Sequence, residues 1–219
     1  AWSNPISPNE AQRQAALAKC QAGLALAERI GARCCVNVSG SCNPEKWAGP
    51  HLLNLRDETF DEIVESVRKI IDAVKPTRTF YTLETMPWIF PDSPENYLRL
   101  IKAIDRKAFA VHLDPVNLVN CPSRAFNTTA LIKCCFEWLG PYIKSCHAKD
   151  IAIRDNLTLH LDECRPGTGL LDYGEFLRGV EHLGPDLPVM LEHLPNEGEY
   201  DLAAFHLREV AAREGVKIL

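Results

Sequence analysis

Five short apolar runs, each followed by a helical stretch with one apolar face, set the fold class of this chain. The runs occupy residues 33–40, 78–84, 108–113, 142–147 and 187–192. Between them the hydrophobic period changes from continuous to helical. In "DETFDEIVESVRKIIDAVKP", Phe60, Ile63, Val64, Val67, Ile70, Ile71 and Val74 trace one helical face, and Pro76 ends it. Ser7-Pro8-Asn9-Glu10 has the form of a capping box with Ser7 as N-cap. It predicts a helix through Leu17, Cys20, Leu24 and Ala27 that stops at Gly31. Ser93-Pro94-Glu95 opens another helix, and further helices are expected over 127–139, 172–183 and 198–214. Residues 149–171 read as one long connecting segment that contains "LTLHLDE" and "RPGTG". Repeated strand–helix units of this kind predict an α/β fold with a parallel sheet and helices outside it.

Two architectures satisfy that alternation, and the placement of polar residues separates them. A doubly wound dinucleotide fold concentrates function in a glycine-rich first turn, and no G-x-G-x-x-G occurs here. The charged and imidazole residues instead stand at the ends of several different runs: Glu84, Asp114, His147 and Glu192. A (β/α)8 TIM barrel builds its active site on that face. Five runs fall short of eight strands, and the chain opens on Trp2-Ser3-Asn4 as though at the mouth of a strand. The expectation is a single domain over 1–219, a barrel incomplete at its N-terminus with about its third strand to its eighth helix present.

Composition narrows the function classes. Hydrophobic residues make up 46% and charged residues 24%, ordinary values for a globular protein. No apolar run approaches the roughly 20 residues of a membrane span, and no secretory leader pattern is visible. A formal charge of -5 argues against a general nucleic-acid binder. Nine cysteines occur without a C-x-x-C spacing. They read as small core hydrophobes in a reducing compartment, the cytoplasm fitting best.

At equivalent strand ends of a parallel barrel, Glu84, Asp114, His147 and Glu192 would converge. Three carboxylates brought together repel unless a proton or a cation intervenes. A divalent ion held by three carboxylates and one imidazole resolves the conflict. Oxygen-rich ligation favours Mn2+ or Mg2+, and the histidine keeps Co2+, Fe2+ and Zn2+ in play.

The ordered motifs "LE" at 83–84, "HLDPVN" at 112–117, "HAKD" at 147–150, "PGTGLLDY" at 166–173 and "MLEH" at 190–193 resemble the xylose-isomerase-like TIM-barrel superfamily. This superfamily includes sugar isomerases, 3-epimerases, inosose dehydratases and the AP endonuclease family 2 proteins. The resemblance implies that Glu84, Asp114, His147 and Glu192 are metal ligands, with Glu84 and Glu192 also the catalytic acid/base pair. The expected reaction is isomerisation or epimerisation of a sugar or polyol through an enediolate. Chelation of a carbonyl and its neighbouring hydroxyl acidifies the intervening C–H, one glutamate removes the proton, and the other returns it.

Neighbouring residues carry open alternatives. His112 suits either a position behind the ligands or a hydrogen-bonded core histidine, and His193 suits a structural role. Lys149 and Asp150 suit substrate contact or a solvated loop. Lys149 is expected beside His147, where a cation could meet a substrate oxygen or balance the carboxylates. Arg165, before "PGTG", is a further candidate for substrate contact. Asn117 stands where several epimerases carry histidine, which weakens transfer of their substrate contacts. Trp2, Trp47 and Trp88 suit either sugar stacking or packing between loops.

An inosose-dehydratase-like lyase would use the same residues and then expel a hydroxyl. A zinc nuclease would need further histidines and acids, and the D-x-x-H that such a site calls for after Asp114 is missing. An inactive fragment is the remaining reading. No membrane partner is expected, and a homo-oligomer is consistent with related barrels, which often form dimers or tetramers.

Overall fold

The computed structural model describes residues 1–218, which divide into two compact units, one of residues 1–112 and one from residue 113 onward. The first unit alternates α1 (Glu10–Ile30), β1 (Cys34–Asn37), α2 (Asp57–Val74), β2 (Phe80–Glu84), α3 (Pro94–Ile104) and β3 (Phe109–Leu113). Its strands run parallel, with Cys34 opposite Phe80, Tyr81 opposite Phe109 and Glu84 opposite His112. Leu24, Ile63, Ile70, Leu83, Leu100, Ile104 and Val111 are fully buried between these strands and helices.

Helix α1 begins later than its sequence suggests. The N-cap is Asn9, whose side chain accepts the Gln12 N–H. Ser7 Oγ instead accepts the Asn9 N–H. The serine thus forms a local turn over Pro8, and asparagine, an equally good cap, takes the helix end. The other end of α1 supports the sheet. The Glu28 carboxylate accepts the N–H groups of Thr77, Arg78 and Thr79 and the Thr77 hydroxyl, fixing the approach to β2.

Tyr97 of α3 reaches between two strands. Its hydroxyl oxygen accepts the N–H groups of Leu83 at 3.2 Å and His112 at 3.3 Å. The hydroxyl itself lies within donating reach of the Leu83 and Ala110 carbonyls. β2 and β3 are therefore tied at their C-terminal halves, where Glu84 and His112 project.

The second unit contains α4 (Pro122–Ala125), α5 (Thr128–Leu139), β4 (Ile143–Ala148), β5 (Asp150–Arg154), β6 (His160–Cys164), α6 (Tyr173–Leu183), β7 (Val189–Leu191) and α7 (Glu197–Glu214). β4 and β7 are parallel, with His147 opposite Met190. The segment 149–171 is not a plain connection. Residues 150–164 fold as an antiparallel hairpin, Asp150 opposite Cys164 and Arg154 opposite His160. "LTLHLDE" does carry the alternation of a strand. Its β6 residues are half-buried or exposed, so no continuous apolar run marked it. Helix α4 is a single turn that the sequence pattern did not signal.

The five parallel strands β1, β2, β3, β4 and β7 match the five apolar runs to within a few residues. Among the described residues no helix is long and apolar enough to cross a membrane.

Candidate metal centre

Asp114 follows β3 directly and is completely buried. Its two oxygens do different things. Oδ1 accepts the N–H groups of Val116 and Asn117, at 3.0 and 3.2 Å, closing the turn that Pro115 begins. Oδ2 faces away from that turn, 2.9 Å from Lys149 Nζ and 3.5 Å from His147 Nδ1. A charge stands at this strand end because one oxygen shapes the turn and leaves the other aimed at a common point.

Glu192 follows β7 and approaches the same point. Its Oε2 lies 2.7 Å from Lys149 Nζ and 3.1 Å from His147 Nδ1. The parallel pairing of β4 with β7 sets this encounter, since it brings the ends of both strands to one level. One donor atom each from Asp114, His147 and Glu192 lies within 4.8 Å of the others. Carboxylate, imidazole and carboxylate at that separation suit a divalent ion of the Mn2+, Mg2+ or Zn2+ kind. The position of the Lys149 ammonium supports the fit, because both carboxylates are turned toward one cation. Glu84, at the end of β2, is buried and in register with His112.

Electrostatics keep these acids ionised. Burial alone would push the Asp114 carboxyl up, but hydrogen bonding to His147 and the charge of Lys149 bring it down to about 2. Glu192 behaves alike: burial opposes ionisation, and hydrogen bonds to His147 and Lys149 outweigh it, again giving about 2. For Lys149 burial favours the neutral amine, yet Asp114 and Glu192 raise its pKa above the ordinary lysine value.

The other expected residues divide. Lys149, only 2% exposed, joins Asp114, His147 and Glu192. Asp150, its neighbour, does not. Both of its oxygens are taken up by backbone N–H groups, those of Ile151 and Leu171 on Oδ1 and those of Gly167 and Gly169 on Oδ2. It anchors the "PGTG" loop. Arg165 is engaged by Glu199 of α7 at 2.9 Å, and the Asn117 N–H serves the Asp114 turn. His112 is fully buried, with its N–H on the Tyr97 hydroxyl. Trp2 meets Trp47 edge to face and Trp88 donates to the Ala48 carbonyl, so each makes a contact among the loops of the first unit while staying exposed.

One participant was missed. Glu163, on β6, lies 3.8 Å from Lys149 Nζ and 3.1 Å from His193 Nδ1. His193 adopts a left-handed backbone with φ of 58° directly after Glu192. Recognising the hairpin in "LTLHLDE" would have placed Glu163 opposite Ile151, two residues from Lys149.

Residues 3–219 match the family model described as the xylose isomerase-like TIM barrel. The chain belongs to that family; its described residues form five parallel strands, where a closed barrel of this class has eight. No curated protein matches the sequence. Several solved structures share the fold. The probable 3-DHS dehydratase AsbF from Bacillus anthracis is 18% identical with a TM-score of 0.71, over 96% of this chain and 74% of that one. D-psicose 3-epimerase from Clostridium cellulolyticum H10, solved with D-tagatose, is 15% identical with a TM-score of 0.65, over 96% and 74%. A xylose isomerase-like TIM barrel protein from Mycobacterium smegmatis, solved in complex with magnesium, is 17% identical with a TM-score of 0.69, over 94% and 69%.

Proposed function

We propose that this chain is a divalent-metal-dependent isomerase or epimerase acting on a sugar or sugar-like polyol. The observation that carries the reading is the convergence of Asp114, His147 and Glu192 donor atoms at a buried point that already attracts a cation. Glu84 is the proposed fourth ligand. It ends β2 as Asp114 follows β3, and its register partner His112 precedes Asp114 by two residues. Mn2+ suits this oxygen-rich set best.

A bound divalent ion would polarise a carbonyl and its neighbouring hydroxyl and so acidify the carbon between them. The remaining work belongs to side chains. Glu192 is ionised at neutral pH, the form a general base needs to take a proton from that carbon. Glu84 would deliver the proton to the opposite face or to the adjacent carbon. Lys149 would meet a developing negative oxygen, and Asn117, whose N–H joins the Asp114 turn, is a further candidate substrate contact. Arg165, held by Glu199, borders the "PGTG" loop as a candidate substrate contact.

A dehydratase is the second reading, favoured by the fold likeness to the probable 3-DHS dehydratase. The same base would act, followed by loss of a hydroxyl instead of reprotonation.

Elemental analysis of the purified chain, before and after Mn2+ reconstitution and beside Glu192→Gln, tests the metal reading. About one divalent ion per chain, held less tightly by the variant, supports it. About three zinc ions would point to nuclease chemistry, and no ion under any condition would overturn it. Incubation of the loaded chain with ketoses and with inososes then separates the two reactions by product: an epimer or isomer in one case, a dehydrated ketone in the other.

A further inference from the structure

We propose that Lys149 is a built-in counter-ion that sets the affinity of the metal centre, weakening divalent binding in exchange for a stable metal-free fold. The inference rests on the metal reading above and assigns to this lysine a role in that centre which the ligand set does not require.

A lysine is seldom fully buried unless it is paired. Lys149 is 2% exposed, and its ammonium lies 2.9 Å from Asp114 Oδ2 and 2.7 Å from Glu192 Oε2. These oxygens are the ones that face His147. The ammonium therefore competes directly for two of the donors a metal would use. Its third carboxylate neighbour, Glu163 Oε2 at 3.8 Å, belongs to the hairpin and not to the proposed ligand set. That oxygen offers the ammonium a partner once an ion has claimed Asp114 and Glu192.

The backbone holds the lysine in place from the other side. Tyr173 Oη donates to the Lys149 carbonyl at 2.6 Å, and the Asp150 carboxylate is locked into the loop that follows. These bonds oppose a backbone shift of Lys149 and leave the side chain as the part that would move, which is the behaviour a displaceable counter-ion needs. Removing its charge would leave the Asp114 and Glu192 oxygens with only the His147 imidazole beside them, a costly arrangement for carboxylates held this close. A divalent ion would relieve that cost, so binding would tighten as metal-free stability fell.

Lys149→Met keeps an unbranched side chain, one atom shorter, and removes the charge, and Lys149→Arg keeps the charge. Mn2+ affinity is measured by titration calorimetry for the wild type and both variants, together with the rise in Tm that saturating Mn2+ produces. The expected result is Mn2+ binding tighter by roughly tenfold or more in Lys149→Met, with a lower metal-free Tm and a larger Mn2+-induced rise. Lys149→Arg should bind within about threefold of the wild type.

Equal or weaker binding by Lys149→Met overturns the proposal, as does equal tightening by both variants, which would point to shape instead of charge. If Lys149→Met is insoluble without an ion, it is prepared in Mn2+ and its affinity is read by chelator competition against the wild type, with the same criteria. A wild type that binds no divalent ion overturns the metal reading and this proposal together. Ordinary Mn2+ binding by the wild type, unchanged in Lys149→Met, overturns the counter-ion role alone.

Discussion

Asp150 and Gly169 are fitted to each other. Asp150 Oδ2 accepts the Gly169 N–H at 3.0 Å, and a Cβ on Gly169 would lie 2.3 Å from Asp150 Oδ1 and 2.5 Å from the Ile151 carbonyl. Gly169→Ala should therefore destabilise the chain by about 1–3 kcal/mol, because a backbone atom and a committed carboxylate must both give way. Asp150→Asn should cost a similar amount. Its amide can present only one acceptor oxygen where four N–H groups are waiting. Denaturant titration of both variants measures this, and a wild-type midpoint in either would contradict the assignment of Asp150 to the loop.

Tyr97 offers a second test, in the other unit. Tyr97→Phe keeps the ring and removes the oxygen that accepts from Leu83 and His112. Two buried N–H groups would then lose an acceptor, a change worth about 1–3 kcal/mol. Amide exchange should speed up at Leu83 and His112 specifically. Uniform acceleration across the sheet would show that the hydroxyl serves general packing and not the β2–β3 tie.

Acid should reveal Glu28. Hydrogen bonds from the Thr77 hydroxyl and from the Thr79 and Arg78 N–H groups hold its carboxyl at about 2, below its ordinary 4.5. A folded pKa below the unfolded one stabilises the native state above the unfolded pKa. That stabilisation is lost as pH falls from about 4.5 toward 2. Glu28→Gln removes this contribution, so its Tm should start lower at neutral pH and decline less steeply through that window. Parallel Tm–pH curves for the variant and the wild type would contradict the account.

The strands were legible in the sequence because burial on both faces writes a continuous apolar run. Phe109–Leu113, buried at every position, is the clearest case. Glu84, Asp114, His147 and Glu192 stood out for the related reason that each interrupts or ends such a run. The hairpin was hidden because its second strand carries polar and charged residues on partly open faces. The α1 start was misplaced because Ser7 and Asn9 are both competent caps, and only the turn over Pro8 decides between them. The two roles of the Lys149-Asp150 pair were not separable from one-dimensional spacing. One partner of that pair is contributed by the end of β7 and the other by the loop beyond the hairpin.

The stretch "HAKD" also divides labour by position. Successive residues of an extended chain point to opposite sides, so Lys149 meets Asp114 and Glu192 while Asp150 meets the amides of 167–171. Deleting Ala148 would shift this alternation by one residue. It would turn an anion toward the two carboxylates and a cation toward the loop amides, reversing both pairings at once. A substitution here disturbs one pairing at a time, whereas a change in the length of the stretch disturbs both, so insertions or deletions between His147 and Asp150 should be far less tolerated than substitutions.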